Sequence, residues 1–178
     1  RNIGYVPRSR RAARATVNFN ASGITSTTKQ ITFQPGVIAN GTVSNINYVF
    51  SLPEAVSFNA FNGASRGMMV IYQGQYVTNS YVVDNNNPSE RYVLPNDGID
   101  TSTISVKIRN SASDNTTTSY ELVDNIIGIT STSNIYLLQE TTDEKYELLF
   151  GDDVFGKKLD SGNIIDISYI KTNGKAGN

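Results

Sequence analysis

The sequence predicts a mainly β chain, with antiparallel sheets packed as a sandwich-like domain and little helix. Three observations carry this expectation. Apolar side chains recur at every second residue in several stretches, those stretches are bounded by Gly, Pro, Asn or Asp, and the 3.6-residue period of an amphipathic helix is almost absent. Composition points the same way. Asn, Ser and Thr supply 55 of the 178 residues, and charged residues only 17%, against roughly 25% in an average soluble domain. With ten Tyr and seven Phe, this is a composition common in extracellular or particle-forming β proteins, where backbone ladders matter more than charge repulsion.

Taken in chain order, "RSRRAARA" (8–15) is the one helical candidate, a turn or two with Pro7 suited to its first position. "ATVNFNA" follows as a half-buried strand, with Val17 and Phe19 inward and Thr16, Asn18 and Asn20 outward. "KQITF", "INYVFSL", "MMVIYQGQYV", "NSYVV" and "ERYVL" are further strands. "TISVKIR" alternates Ile104, Val106 and Ile108 against Ser105, Lys107 and Arg109. "NIYLLQE", "KYELLF" and "NIIDISYI", the last with Ile165, Ile167 and Tyr169 inward, bring the total to about ten short strands. "NGASRG", "VDNNNPSE", "LPNDGIDTS" and "NSASDNTTTS" are expected as loops, because their side chains favour turns. The length suits one domain, or two small ones; residues 1–178 are read as one β-rich domain with a weak sub-boundary near 111–119, where polarity peaks. A chain of this length buries a core without a staple.

The absence of Cys and His removes structural zinc sites, thiol nucleophiles and Ser-His-Asp triads. No apolar run approaches the roughly 20 residues that span a bilayer, and the basic start "RNIGYVPRSRRAAR" has no apolar segment behind it. Neither signal peptide nor membrane anchor is expected. A chain that opens without Met and stops at "TNGKAGN" is expected to be a piece of a longer one.

Asp152, Asp153 and Asp160 are the best metal candidates, but "GDDVFGKKLDSG" lacks the alternating oxygen ligands and closing Glu of an EF-hand loop. The economical reading makes the segment a turn. Gly151 and Gly156 would permit positive φ, Gly162 would close a bulged hairpin, and Lys157 and Lys158 would offset Asp152 and Asp153. On this reading Phe150 to Asn163 is a hairpin connection, flanked by Leu148 and Phe150 on one side and Ile165 and Ile167 on the other. Sequons at Asn20, Asn40 and Asn115 carry no weight, since composition alone predicts about four. Tyr72, Tyr76 and Tyr81 could stack on sugars, although strand tyrosines are more often structural. Glu140, Glu147 and Asp166 could in principle pair for glycoside hydrolysis, but acids on outward strand faces are normally solvated.

Charge is unevenly placed. Arg1 to Phe50 carries six basic residues and no acid, whereas the remainder carries nine basic and sixteen acidic residues. Arg8, Arg10, Arg11 and Arg14 are therefore candidate partner-binding residues, facing protein acids and not nucleic acid, because the whole chain is at −1 and shows no aromatic-basic platform.

"YELLFGDDVFGKKLDSGNIIDISYIKTNGKAGN" closely resembles the strand-turn-strand signature of baseplate wedge proteins of large contractile-tailed phages, in the Baseplate J-like superfamily. That signature reads approximately Y-x-L-x-F-G-D-G-x-x-G-x-x-L-x-x-G-N, followed by an alternating strand and T-x-G-x-x-G-N. "RNIGYVPRSRRAARATVNF" looks like the family's helix-to-strand lead-in, "ITFQPGVIANG" like its I-x-x-P-G-T segment, and "VIYQGQYV" with "YVLPNDGIDTSTISVKI" like its central strands. Asp153 stands where a second Gly is usual, and Val37 where Thr is usual; both are expected at turns. The resemblance implies a structural subunit of the virion's tail baseplate, the β-rich central domain of a larger α+β chain whose helical parts lie mostly outside residues 1–178, assembled in the host cytoplasm, without enzymatic activity or cofactor. Its partners would be other wedge subunits and further copies of itself, joined into the ring around the tail hub and rearranging when the sheath contracts. The alternative drawn from the residues is a carbohydrate-binding β-sandwich module of a tail or surface adhesin.

Overall fold

A computed structural model of the protein describes residues 9–125, 127–141, 143 and 145–174. Pro7 and Arg8 lie outside the described residues. Thirteen strands run in chain order: β1 (Arg14–Ser22), β2 (Gln30–Phe33), β3 (Gly36–Val43), β4 (Ile46–Leu52), β5 (Val56–Asn59), β6 (Ala64–Gln73), β7 (Gln75–Val82), β8 (Tyr92–Val93), β9 (Ile99–Arg109), β10 (Thr118–Leu122), β11 (Ile135–Glu140), β12 (Tyr146–Phe150) and β13 (Ile164–Lys171). The chain is nearly all β, as its alternation predicts. Its contacts divide it into two compact units. The first comprises Thr78–Asp97 and Ile104–Ser168 with Ser9; the second comprises Arg10–Val77, Gly98–Thr103 and 169–174. Strands β7, β9 and β13 contribute residues to both. The polar stretch 111–119 falls inside the first unit.

The second unit is a small sandwich. One sheet has the order β1-β6-β4-β3, and a two-stranded sheet pairs β2 with β5. The antiparallel β1/β6 ladder runs unbroken from Arg14↔Tyr72 to Ser22↔Ala64, so alternate residues of both strands share a face. The inner face presents Val17, Phe19, Met69 and Ile71 to a cluster with Leu52, Phe33, Val56 and Phe58. Phe19 packs edge-on against Phe58 and Phe33, with centroids 4.5 and 5.0 Å apart. The β3/β4 hairpin turns at Ser44 and Asn45, both at positive φ (49° and 63°), the backbone of a tight two-residue hairpin loop.

The first unit is built on the sheet order β7-β13-β9-β10-β11-β12-β8. Its end strands meet: the Tyr81 hydroxyl of β7 donates to the Val93 carbonyl of β8 at 2.7 Å, and the Tyr81 and Tyr92 rings lie edge to face at 5.8 Å. This contact gives the unit a barrel-like arrangement. Val106, Ile108, Tyr136, Leu148, Ile165 and Ile167 are buried within the chain's core. One pair, β10 with β11, is parallel (Glu121↔Ile135, Leu122↔Tyr136). The connection 123–134 is long enough for the chain to re-enter the sheet from the same end.

Several expectations change. Residues 9–13 form no helix: the Ala12 N–H donates to the Asp100 carboxylate and the Ala13 carbonyl accepts from the Gln73 N–H, so long-range partners outweigh the local helix preference of Ala and Arg. "MMVIYQGQYV" is two strands in different sheets, divided at Gly74. At φ 138° a side chain there would stand 2.4 Å from the Lys171 carbonyl oxygen. The expected loops at 62–67, 94–102 and 110–119 yield their last residues to β6, β9 and β10. Val37 lies in β3 at a register shift and not in a turn. Finally, β12 and β13 do not pair: β9, β10 and β11 separate them. Residues 151–163 are therefore a crossing, not a hairpin connection.

Candidate functional site

The crossing begins with two glycines in backbone contact. A Cβ on Gly151 would stand 2.2 Å from the carbonyl carbon and oxygen of Gly156, so its need for glycine is steric; Gly156 (φ 86°) and Gly162 (φ 90°) adopt the expected positive φ, and Gly151 does not. The other left-handed residue of the turn is Asp153, at φ 68°, at the position where the related signature carries Gly. Asp152 Oδ1 accepts from the N–H groups of Val154 and Phe155 (3.0 and 2.9 Å), and Asp153 Oδ1 accepts from the backbone N–H of Lys158 (3.0 Å). The Phe155 and Val154 bonds hold the Asp152 carboxyl below its ordinary range. Lys158 thus meets Asp153 through its backbone N–H.

The rest of the crossing is fastened to its surroundings. The Gly156 N–H donates to the Thr130 carbonyl, the Lys157 N–H to Ser133, and the Gly162 N–H to Val83. Leu159 is buried, and the Asn163 side chain accepts from the Asp160 N–H and donates to the Asn110 carbonyl. Among the described residues, no group of three His, Cys, Asp or Glu could hold a metal ion. Millimolar calcium is expected to leave the melting temperature unchanged. A rise of several degrees, lost in Asp152→Asn, would show that the turn is a cation site.

Two of the other candidate acids, Glu147 and Asp166, are held by bidentate arginine contacts. Glu147, only 7% exposed, accepts from Arg91 Nε and Nη2 at 2.9 and 2.7 Å, so it is not the solvated outward acid expected of that strand. Asp166 accepts from Arg109 Nε and Nη2 and from the Ser80 hydroxyl. Partial burial pushes the Asp166 carboxyl up, but the Arg109 and Ser80 bonds outweigh it and hold it low. A depressed carboxyl stabilises the fold at neutral pH, and that contribution fades as pH falls through its folded-state pKa. Glu140 is exposed near the end of β11.

In the second unit the arginines of the opening segment divide. Arg14 donates from Nη2 to Ser102 Oγ and lies over the Tyr72 ring, 4.9 Å from its centroid. Arg10 packs its side chain beside Gly174 and Gly98, and Arg11 is exposed. Behind Arg14 sits a residue that sequence reading missed. Asp100 is fully buried; its carboxylate accepts from the Ala12 N–H, the Ser102 N–H and the Ser102 hydroxyl at 2.9, 3.1 and 2.7 Å. Asp100 orients Ser102, which in turn receives Arg14. The sequence signal was weak, an Asp inside a stretch that resembled a loop.

Also missed was the outward face of β6. Arg66, Met68, Val70 and Tyr72 alternate with the inward Met69 and Ile71, and they stand opposite Asn20, Asn18, Thr16 and Arg14 of β1. Met68 is 68% and Val70 43% exposed. The readable signal was a strand with apolar residues on both faces. Tyr72 lies on this face beneath Arg14, and Tyr76 is half-buried on β7. Tyr81 uses its hydroxyl to close the first unit. Among the described residues, no helix is long and apolar enough to cross a membrane. Comparison of the sequence with protein-family models and with curated proteins finds no match.

Proposed function

We propose that the chain is a structural domain of a phage tail baseplate, a β-rich part of a wedge protein that joins neighbouring wedges around the tail hub through protein contacts and performs no chemistry. The observation that carries this reading is what the residues of the wedge-like signature do. Tyr146 and Leu148 are buried in β12, Gly151 and Gly156 pack backbone to backbone, Asp152 caps the turn, Leu159 is buried, and Asn163 ties down the end of the crossing. Each is a framework residue, as a scaffold requires. The engagement of Glu147 and Asp166 by arginines supports the same reading, because a catalytic carboxylate needs access to substrate.

The test is to image tail particles that carry this chain by cryo-EM, with an antibody fragment against it as a marker. Density at repeated positions around the tail axis is the expected result. Label confined to fibre tips, or absent from the tail, would overturn the baseplate assignment. Sugar binding on a glycan array that is lost in Tyr72→Ala or Tyr76→Ala would favour an adhesin.

A further inference from the structure

The two units differ in net charge. Among the described residues the second unit carries six basic and two acidic side chains, net +4, and one of those acids, Asp100, is fully buried. The first unit carries six basic and thirteen acidic side chains, net −7. Each unit also exposes apolar side chains beside charges of its prevailing sign. On the second unit, Met68 and Val70 lie on the outward face of β6 with Arg66 at one end and Arg14, stacked on Tyr72, at the other. On the first unit, the turn after β12 exposes Val154 (63%) and Phe155 (48%) directly after Asp152 and Asp153.

We propose that the outward face of β1 and β6 is a socket for the Asp152–Phe155 turn of a second copy of this chain, so that copies join head to tail. The turn is built to be presented. Its backbone is fixed by the Asp152 cap and by the contact of Gly151 with Gly156, so docking orders little new chain. The face of β1 and β6 is a continuous ladder whose exposed apolar centre lies between arginines, and the projection has an apolar tip preceded by two acids. Lys157 and Lys158 follow the turn, and the −7 of their unit sets the long-range attraction toward the +4 unit. A contact between two different surfaces of one chain is heterologous and propagates, closing into a ring or continuing as a filament according to the rotation per step. This inference rests on the scaffold reading for its biological setting, but its geometry is testable on the chain alone.

The experiment is sedimentation of the purified chain at low ionic strength, up to about 1 mM, with two surface variants whose folding is checked by circular dichroism. Met68→Ser with Arg66→Glu disables the socket, and Phe155→Ser disables the projection. The wild-type mass should rise with concentration and fall when salt is added, while each variant should associate more weakly by at least about tenfold. An equimolar mixture of the two variants retains one intact socket and one intact projection, and should form one-to-one dimers that grow no further. A monomeric wild type, variants that associate like wild type, or a mixture that stays monomeric would each overturn the inference. A monomeric wild type together with label around the tail axis removes only the self-docking surface. Head-to-tail association with no label in the tail removes only the baseplate assignment.

Discussion

Gly151→Ala should lower the free energy of unfolding by about 3 kcal/mol, the upper range for inserting a methyl group where no space exists. The Cβ would stand 2.2 Å from both the carbonyl carbon and oxygen of Gly156 and 2.7 Å from its Cα. These are backbone atoms, so no rotamer change relieves the clash. Gly156 cannot easily retreat, because its N–H is bonded to the Thr130 carbonyl and its carbonyl accepts from the Asp153 N–H. The same substitution at Gly162 separates sterics from backbone preference. Gly162 is at φ 90°, but a Cβ there meets nothing within 4 Å, so Gly162→Ala should cost only the left-handed strain, about 1–2 kcal/mol. Urea denaturation of both variants measures the difference. A lower midpoint at constant slope for Gly151→Ala, and a smaller shift for Gly162→Ala, is the expected pattern. Equal midpoints would mean that the turn is soft and does not present Val154 and Phe155 rigidly.

Asp100→Ala should destabilise the chain by about 2–4 kcal/mol, because it strands the partners of a buried carboxylate. The Ala12 N–H, the Ser102 N–H and the Ser102 hydroxyl all lose their acceptor at once. Asp100→Asn keeps the shape and one acceptor oxygen, but an amide NH2 facing either Ala12 or Ser102 opposes donor to donor. It should fall between wild type and Ala. Hydrogen exchange adds a local readout that a general loss of stability would not produce: the Ala12 amide should lose protection before the β1/β6 ladder does. Arg14 should also loosen, since the Ser102 hydroxyl that receives it is itself held by Asp100. Unchanged stability and unchanged Ala12 exchange would show that the segment before β1 is anchored by other means.

Those two sites differ in how far they could be read in advance. The glycines around Asp152 were legible, because a Gly-Asp-Asp-x-x-Gly run between alternating apolar strands has few uses other than a turn. Asp100 was not, because its partners Ala12 and Ser102 are chosen by the fold, one of them 88 residues away in the chain. The bidentate pairs of Glu147 with Arg91 and Asp166 with Arg109 have the same character, spanning 56 and 57 residues.

What the sequence by itself determined is the β class and the faces of its stronger strands. Alternation in β1, β9 and β13 depends only on residues i and i+2, and the side chains read as inward, among them Val17, Val106 and Ile165, are at least half-buried. Strands β3, β5 and β10 were invisible because "GVIANGTV", "VSFN" and "TSYEL" are short or polar and gain their strand character from a neighbour. Only the tertiary structure decided that residues 9–13 are extended, that Gly74 parts two sheets and that β12 and β13 are not neighbours. It also decided that charge gathers by unit. Periodicity reports the environment of one strand, whereas strand order, ion pairing and the division into units depend on which distant segments share a ladder, information spread over residues that no local window contains together.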